Sequence, residues 1–423
     1  MSTSSDRTKG LKYPPEQMDR HDAGTSPGVN IEPGSNDDGW VIPPPVYLSD
    51  GTQIQLYKDG EAWHAAFEAM KRAVHRICLE LYIFASDQTG QAVADLLAEK
   101  ARSGVRVYVL YDSFGSAYAD RAMFDKMQLA GVHVQQFHPI RPWECRYGWR
   151  PFNRDHRKLL LIDDHIAGLG GMNLGQDYAG SWIVKSAMTG SHQTHLDLWR
   201  DNAIGISGPA AVHLRSSFAR TWNYVQRGGR IQRAELLHDV YTPGEFGLLA
   251  SVPTRESPLR PALCHLLRKA TKSISLTMAY FAPDDSLIDE LCNAARRGVK
   301  VRLMLPGRGD LRILVIAARS FYEKLMSCGI EIYERQNVML HAKTIVLDGN
   351  LSIIGSTNLD YRSIEFNCEL SAFIYSQDLG RQVETLFEND IQFARKIDPD
   401  IWQHRPHWDR FGQWLVSRAR YLL

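Results

Sequence analysis

The sequence lacks most features that would place it at a glance. No run of about 18 apolar residues occurs in its 423 positions, so no membrane-spanning helix is expected. The first forty residues lack an apolar core, so no secretory leader is expected. None of the six cysteines (Cys78, Cys145, Cys264, Cys292, Cys328, Cys368) stands in a C-x-x-C pair, and their spacing is irregular. That argues against a zinc site and a disulfide framework, and reduced thiols point to the cytoplasm. Net charge is missing too: 49 Lys and Arg against 48 Asp and Glu leave +1. Bulk charge therefore gives no basis for holding nucleic acid, and none is expected as a partner.

What is present fits a globular chain long enough for two domains, with 44% hydrophobic and 23% charged residues. Residues 1–45 are rich in Ser, Asp, Gly and Pro and end in Pro43-Pro44-Pro45, which predicts a flexible tail. Beyond it, Trp63, Phe67, Met70 and Val74 recur at helical spacing. A strand is expected over Ile77 to Phe84, a helix over Gln91 to Arg102 and a strand over Val105 to Tyr111. The same order returns: strand Ile274 to Phe281, helix Leu287 to Arg297, strand Val299 to Leu305. Ile77, Phe84 and Asp87 match Ile274, Phe281 and Asp284 at one offset of 197, and Gly104-Val105-Arg106-Val107 matches Gly298-Val299-Lys300-Val301. So long a repeat predicts two fused α/β domains, residues 46–235 and 236–423, each with a mainly parallel or mixed sheet flanked by helices.

The repeat contains a motif. His156-Arg157-Lys158 and four apolar residues lead to Asp163; His341-Ala342-Lys343 and four mostly apolar residues lead to Asp348. Both are H-x-K-x4-D, and both continue to a Gly (Gly170, Gly355) and an Asn (Asn173, Asn358). One copy is expected by chance in roughly 0.03 of chains this long, so two copies at matching places are not accidental. On a strand, His and Lys at i and i+2 share a face and can converge on one anion. The Asp ends the strand at a turn and is expected to hold backbone or a cation. One copy supplies half of a site for a phosphodiester. Lys158 and Lys343 can balance its non-bridging oxygens, with Asn173 and Asn358 adding neutral hydrogen bonds. One neutral His can attack phosphorus, and the other can protonate the leaving oxygen. No metal or other cofactor is called for, since two lysines supply the positive charge.

With its paired motifs the chain resembles the phospholipase D superfamily, and within it the bacterial cardiolipin synthases that lack membrane-spanning helices. Glu80-Leu81-Tyr82-Ile83-Phe84, Gly170-Gly171-Met172-Asn173, Trp199-Arg200-Asp201 and Gly355-Ser356-Thr357-Asn358 carry the likeness, with Asn367 and Glu369 at the family's spacing. The resemblance implies two α/β domains about a pseudo-twofold, with the active site between them. It implies phosphatidyl transfer through phosphohistidine, joining two phosphatidylglycerols into cardiolipin, with phosphatidylethanolamine as another possible substrate. It points to His156 as nucleophile and His341 as acid, and to peripheral contact with the cytoplasmic side of the membrane. A downstream carboxylate is implied to orient each His: Glu369, 28 residues past His341, and in the first half Asp201, with Asp197 in reserve. Hydrolysis by water and cleavage of nucleic acid by the same chemistry remain alternatives; oligomeric state is not legible.

The halves are not identical. Gly171 stands where the second half has Ser356, and about 13 extra residues, including Pro142 to Trp149, precede His156. That aromatic, basic stretch reads equally as a substrate-facing element or as a surface loop packing its own tryptophans. Glu80, amid apolar neighbours, is expected in the active-site wall or in a structural network. Phe411, Trp414, Leu415 and Leu422 share one face of a C-terminal helix. Packing on its own domain is the expectation for that helix, ahead of lying in lipid headgroups.

Overall fold

A computed structural model describes residues 39–144, 152–179, 199–228, 240–241, 244–253 and 257–419. Residues 35–423 cluster as one compact unit. It holds two large sheets of the same design. The first runs Val46–Tyr47, Gln53–Lys58, Asn202–Ser207, Ile166–Gly170, Leu159–Ile162, Arg76–Leu81, Arg106–Asp112, His133–Phe137. The second repeats the order with Phe246–Ser251, Asn367–Tyr375, Leu351–Gly355, Lys343–Leu347, Ser273–Met278, Lys300–Pro306 and Glu331–Arg335. In both, the last three strands of that order are parallel and the motif strand is antiparallel to its neighbours. The sheets are therefore mixed, as the two repeated crossovers require.

The motif strands are buried on both faces, and their period-2 alternation shows where each face goes. Leu159 and Leu161 join a central core, while Leu160 and Ile162 join an outer one. Val346 points to the same central core, and Ile345 and Leu347 to the second half's outer one. The central core mixes side chains of both sheets with Phe218 and Trp222 of the helix Ala210–Gln226 and Leu379, Val383 and Leu386 of the helix Gln377–Ile391. Ordered packing begins before residue 46, contrary to the expected tail. Trp40 is buried, and the carbonyls of Pro43 and Pro44 accept from Gln55 and Gln382. Residues 1–38 lie outside the described residues.

Two short strands cross between the halves. Arg154–Asp155 pairs in parallel with Asn367–Cys368 of the second sheet. Met339–Leu340 pairs in parallel with Trp199–Arg200. A buried ion pair secures the second crossing. Arg200 donates to both oxygens of Asp390 at 2.9 and 2.8 Å, and Arg335 reaches the same carboxylate at 3.3 Å. Asp390→Ala would leave two buried guanidinium groups short of a partner. We expect a loss of about 3–5 kcal/mol in urea unfolding; an unchanged midpoint and slope would show that the crossing does not depend on it.

Candidate active site

The crossing strands deliver the motif histidines. The amide of His156 donates to the Cys368 carbonyl at 2.9 Å, and that of His341 to the Arg200 carbonyl at 2.8 Å. Each His is thus held one residue from a carboxylate of the opposite half. His156 Nδ1 lies 3.1 and 3.2 Å from the Glu369 oxygens, and His341 Nδ1 lies 2.7 Å from Asp201 Oδ2. The pairing is crossed, which corrects the expectation that each carboxylate serves its own half. Asp197 lies outside the described residues.

His156, Lys158, His341 and Lys343 are all buried. Lys158 donates to the His156 carbonyl at 2.6 Å, and Lys343 to that of His341. Both lysine charges bear on both histidines, as one shared site requires. Burial strips charge from the site. It lowers His156 to about 4, with Lys158 and Lys343 adding to the effect and Glu369 opposing it. It carries His341 well below the ordinary histidine range, with both lysines contributing. It lowers Lys158 to about 7 and Lys343 to about 8. An anion entering between these groups favours every protonated form, so the site is built to become charged as it binds one.

The two His–carboxylate pairs differ. Burial alone would raise Glu369, but His156, Lys158 and the Ser356 hydroxyl hold it below the ordinary range. Ser356 Oγ donates to Glu369 Oε2 at 2.5 Å, and Asn367 Nδ2 to Oε1 at 3.3 Å. Asp201 has less support: burial raises it to about 7, opposed by Lys343 and by the Asn202 amide at 2.7 Å. No hydroxyl can be added there without moving the Asp201 carboxylate, because a Cβ on Gly171 would sit 2.3 Å from Asp201 Oδ1. The Gly171 and Ser356 difference read from the sequence is therefore a difference in how each carboxylate is held.

The motif aspartates stand at the other end of the strand, about 20 Å from the histidines by strand rise. Asp163 accepts from the amides of Val74, His75 and Arg76, and Asp348 from those of Thr271, Lys272 and Ser273. They tie the start of the neighbouring strand and do not reach the reacting centre. Asn173 is also spoken for: its Oδ1 accepts from the Ile83 amide and its Nδ2 donates to the Tyr178 hydroxyl. Asn358 accepts from the Tyr280 amide at 3.4 Å, and its buried Nδ2 has no partner among the described residues. Glu80 lies in a buried cluster with Asp155 and Arg157, 3.9 Å from the guanidinium. Arg157 also reaches Thr221 at 2.6 Å and the Ser251 carbonyl at 3.0 Å, so the cluster binds the halves together. Of the inserted stretch, Trp143 is exposed and residues 145–151 lie outside the described residues.

Sequence reasoning did not single out the aromatic lining. Tyr82 meets His156 edge-on at 5.0 Å, while Tyr178, Trp199 and Tyr280 surround His341 at 5.5, 4.9 and 6.2 Å. Tyr82 and Tyr280 sit just past strand ends flanking the motif strands, a position that could have flagged them.

Residues 67–181 and 263–391 match a family model described as cardiolipin synthase, PLD-like domain. The chain belongs to this cardiolipin synthase, PLD-like family. A cardiolipin synthase of Geobacillus kaustophilus is 33% identical over 88% of this chain and 72% of its own length. A probable cardiolipin synthase of Bacillus subtilis is 32% identical over 86% and 71%. Among solved structures, a phosphatidylserine synthase of Haemophilus influenzae shares the fold at a TM-score of 0.66. That match is 15% identical and covers 90% of this chain and 97% of the other. A polyphosphate kinase of Porphyromonas gingivalis matches at 0.55, 15% identical, over 86% and 52%. The family's PLD-like repeat accounts for the two matching sheets.

The lysines set the pH response. Their charge is needed to hold an anion and is lost as pH rises through about 7 and 8. kcat/KM should therefore fall on the alkaline side of that window, and Lys343→Met should lower it by roughly 100-fold or more at pH 6.5. A profile flat from pH 6 to 9 would contradict this. Gly171→Ala should displace Asp201 and cost roughly tenfold or more in kcat by misplacing His341; wild-type kcat would show that the contact yields freely.

Proposed function

We propose that this chain is a cardiolipin synthase of two fused repeats, residues 46–235 and 236–423. It transfers a phosphatidyl group from one phosphatidylglycerol to another and releases glycerol. The donor's non-bridging oxygens lie between Lys158 and Lys343, with the free amide of Asn358 as a further donor. His156 attacks phosphorus, and the bond to the glycerol oxygen breaks as His341 gives that oxygen a proton. A phosphatidyl-His156 intermediate results. His341 then takes a proton from the acceptor's hydroxyl, which attacks phosphorus and frees His156.

The contrast between the two carboxylates carries this assignment. Glu369 is held ionised, so it accepts from His156 Nδ1–H and leaves Nε2 with its lone pair, as a nucleophile needs. Asp201 takes up a proton below about pH 7, so the His341 pair retains one to give. The names of the Geobacillus kaustophilus and Bacillus subtilis relatives support cardiolipin as product. Peripheral contact with the membrane follows from a lipid substrate, and the cytoplasmic face is the side we propose. Phosphatidylethanolamine is the second candidate substrate.

Purified protein given phosphatidylglycerol should yield cardiolipin and glycerol by mass; phosphatidic acid without cardiolipin would overturn the transfer reading. With donor labelled at phosphorus, His341→Ala should accumulate acid-labile label on the protein, and His156→Ala should carry none. Label on the His156→Ala protein would reverse the assignment.

A further inference from the structure

The terminal helix His407–Ala419 faces the wrong way for a core-covering helix. At 100° per residue, Trp408, Phe411, Trp414 and Leu415 fall within an arc of about 120°. A helix that covers a core turns such an arc inward. Here the four are 83, 56, 53 and 55% exposed. The buried position is Gln413, on the opposite side, whose Oε1 accepts from Arg405 at 3.0 Å. The sequence expectation that this helix packs its apolar face on its own domain is overturned.

The location of this face gives it a use. The helix packs against Arg312–Arg319. The residues leading into that helix, Gly309 to Leu311, line the pocket over His341 together with Trp199 and Tyr280. Leu311 and Ile313 are themselves exposed. Apolar surface thus continues from the terminal helix towards the mouth of the site. The helix itself is basic: Arg410 and Arg418 are exposed against one acidic residue, Asp409, and the Arg418 guanidinium lies 5.5 Å over the Trp414 ring, while the exposed Asp310 at the mouth is engaged by the Tyr280 hydroxyl.

We infer that this outward apolar face is the surface by which the enzyme docks on an anionic bilayer, setting the His341 mouth against the lipid headgroups. Tryptophan and arginine on one face suit the headgroup boundary, where the ring sits among acyl carbons and the guanidinium meets phosphate. Two copies meeting on this face would bring like-charged arginines together, whereas anionic lipid complements them. The inference rests on the proposed lipid substrate, and it names how that substrate is reached.

The test replaces Trp408, Phe411, Trp414 and Leu415 together by Ser, a change confined to exposed positions. Sedimentation with vesicles of phosphatidylcholine and phosphatidylglycerol should show wild-type protein bound and the variant weakened by roughly tenfold or more. Turnover of the same vesicles should fall in parallel. Turnover of monomeric short-chain phosphatidylglycerol should stay unchanged, which also shows that the variant is folded. Wild-type vesicle binding by the variant would overturn the inference. So would a dimer that the variant breaks while its vesicle binding stays intact. Sedimentation reads the face without turnover, so an enzyme that binds vesicles but makes no cardiolipin would contradict the proposed function and leave this surface standing.

Discussion

The site depends on one constraint: the short strand that runs into each motif histidine pairs with the opposite half. Parallel pairing of Arg154–Asp155 with Asn367–Cys368 fixes the next residues, His156 and Glu369, side by side. Pairing of Met339–Leu340 with Trp199–Arg200 does the same for His341 and Asp201. Backbone register therefore sets the geometry of catalysis, and the carboxylates are placed by ladder hydrogen bonds rather than by flexible side chains. The buried bonds of Arg200 to Asp390 and of Arg157 to Ser251 sit beside these crossings. A half taken alone would have a histidine with no carboxylate.

Duplication gives symmetry, but transfer chemistry needs two different histidines. The structure breaks the symmetry with few atoms. A hydroxyl on Ser356 and a longer carboxylate on Glu369 keep one carboxylate ionised beside a neutral histidine. At the equivalent place the shorter Asp201 fills the space a side chain on Gly171 would need, and burial acts on it with less opposition. The lysines are left poised by burial near neutral pH, so binding an anion and charging the site are one event. In the proposed reaction, substrate binding prepares the acid that the first step consumes.

Much of this was legible in the sequence, for a physical reason. A repeated motif with i, i+2 spacing keeps His and Lys close together, and both copies bring them into the site at the entry to the motif strands Leu159–Ile162 and Lys343–Leu347. The strand–helix–strand order of each half also followed from periodicity. The crossing did not, because pairing between segments 213 and 140 residues apart leaves no local trace. For the same reason Glu369 was placed with the nearer His341. The backbone role of the motif aspartates was legible, because a strand carries its far end about 20 Å from the histidines and both carboxylates do hold backbone amides there. Glu80 was ambiguous because a buried carboxylate looks the same whether it faces substrate or Arg157. The terminal helix misled through its amphipathicity, which shows that a face is apolar but not which way it turns.

Side-chain nitrogen resonances of His156 and His341, followed in Glu369→Gln and Asp201→Asn proteins, test the crossed pairing most directly. Crossing predicts that Glu369→Gln shifts the tautomer and titration of His156 and leaves those of His341 in place, and that Asp201→Asn does the reverse. If Glu369→Gln instead perturbed His341 while His156 stayed unmoved, each half would keep its own carboxylate, and the strand exchange at the centre of this account would be wrong.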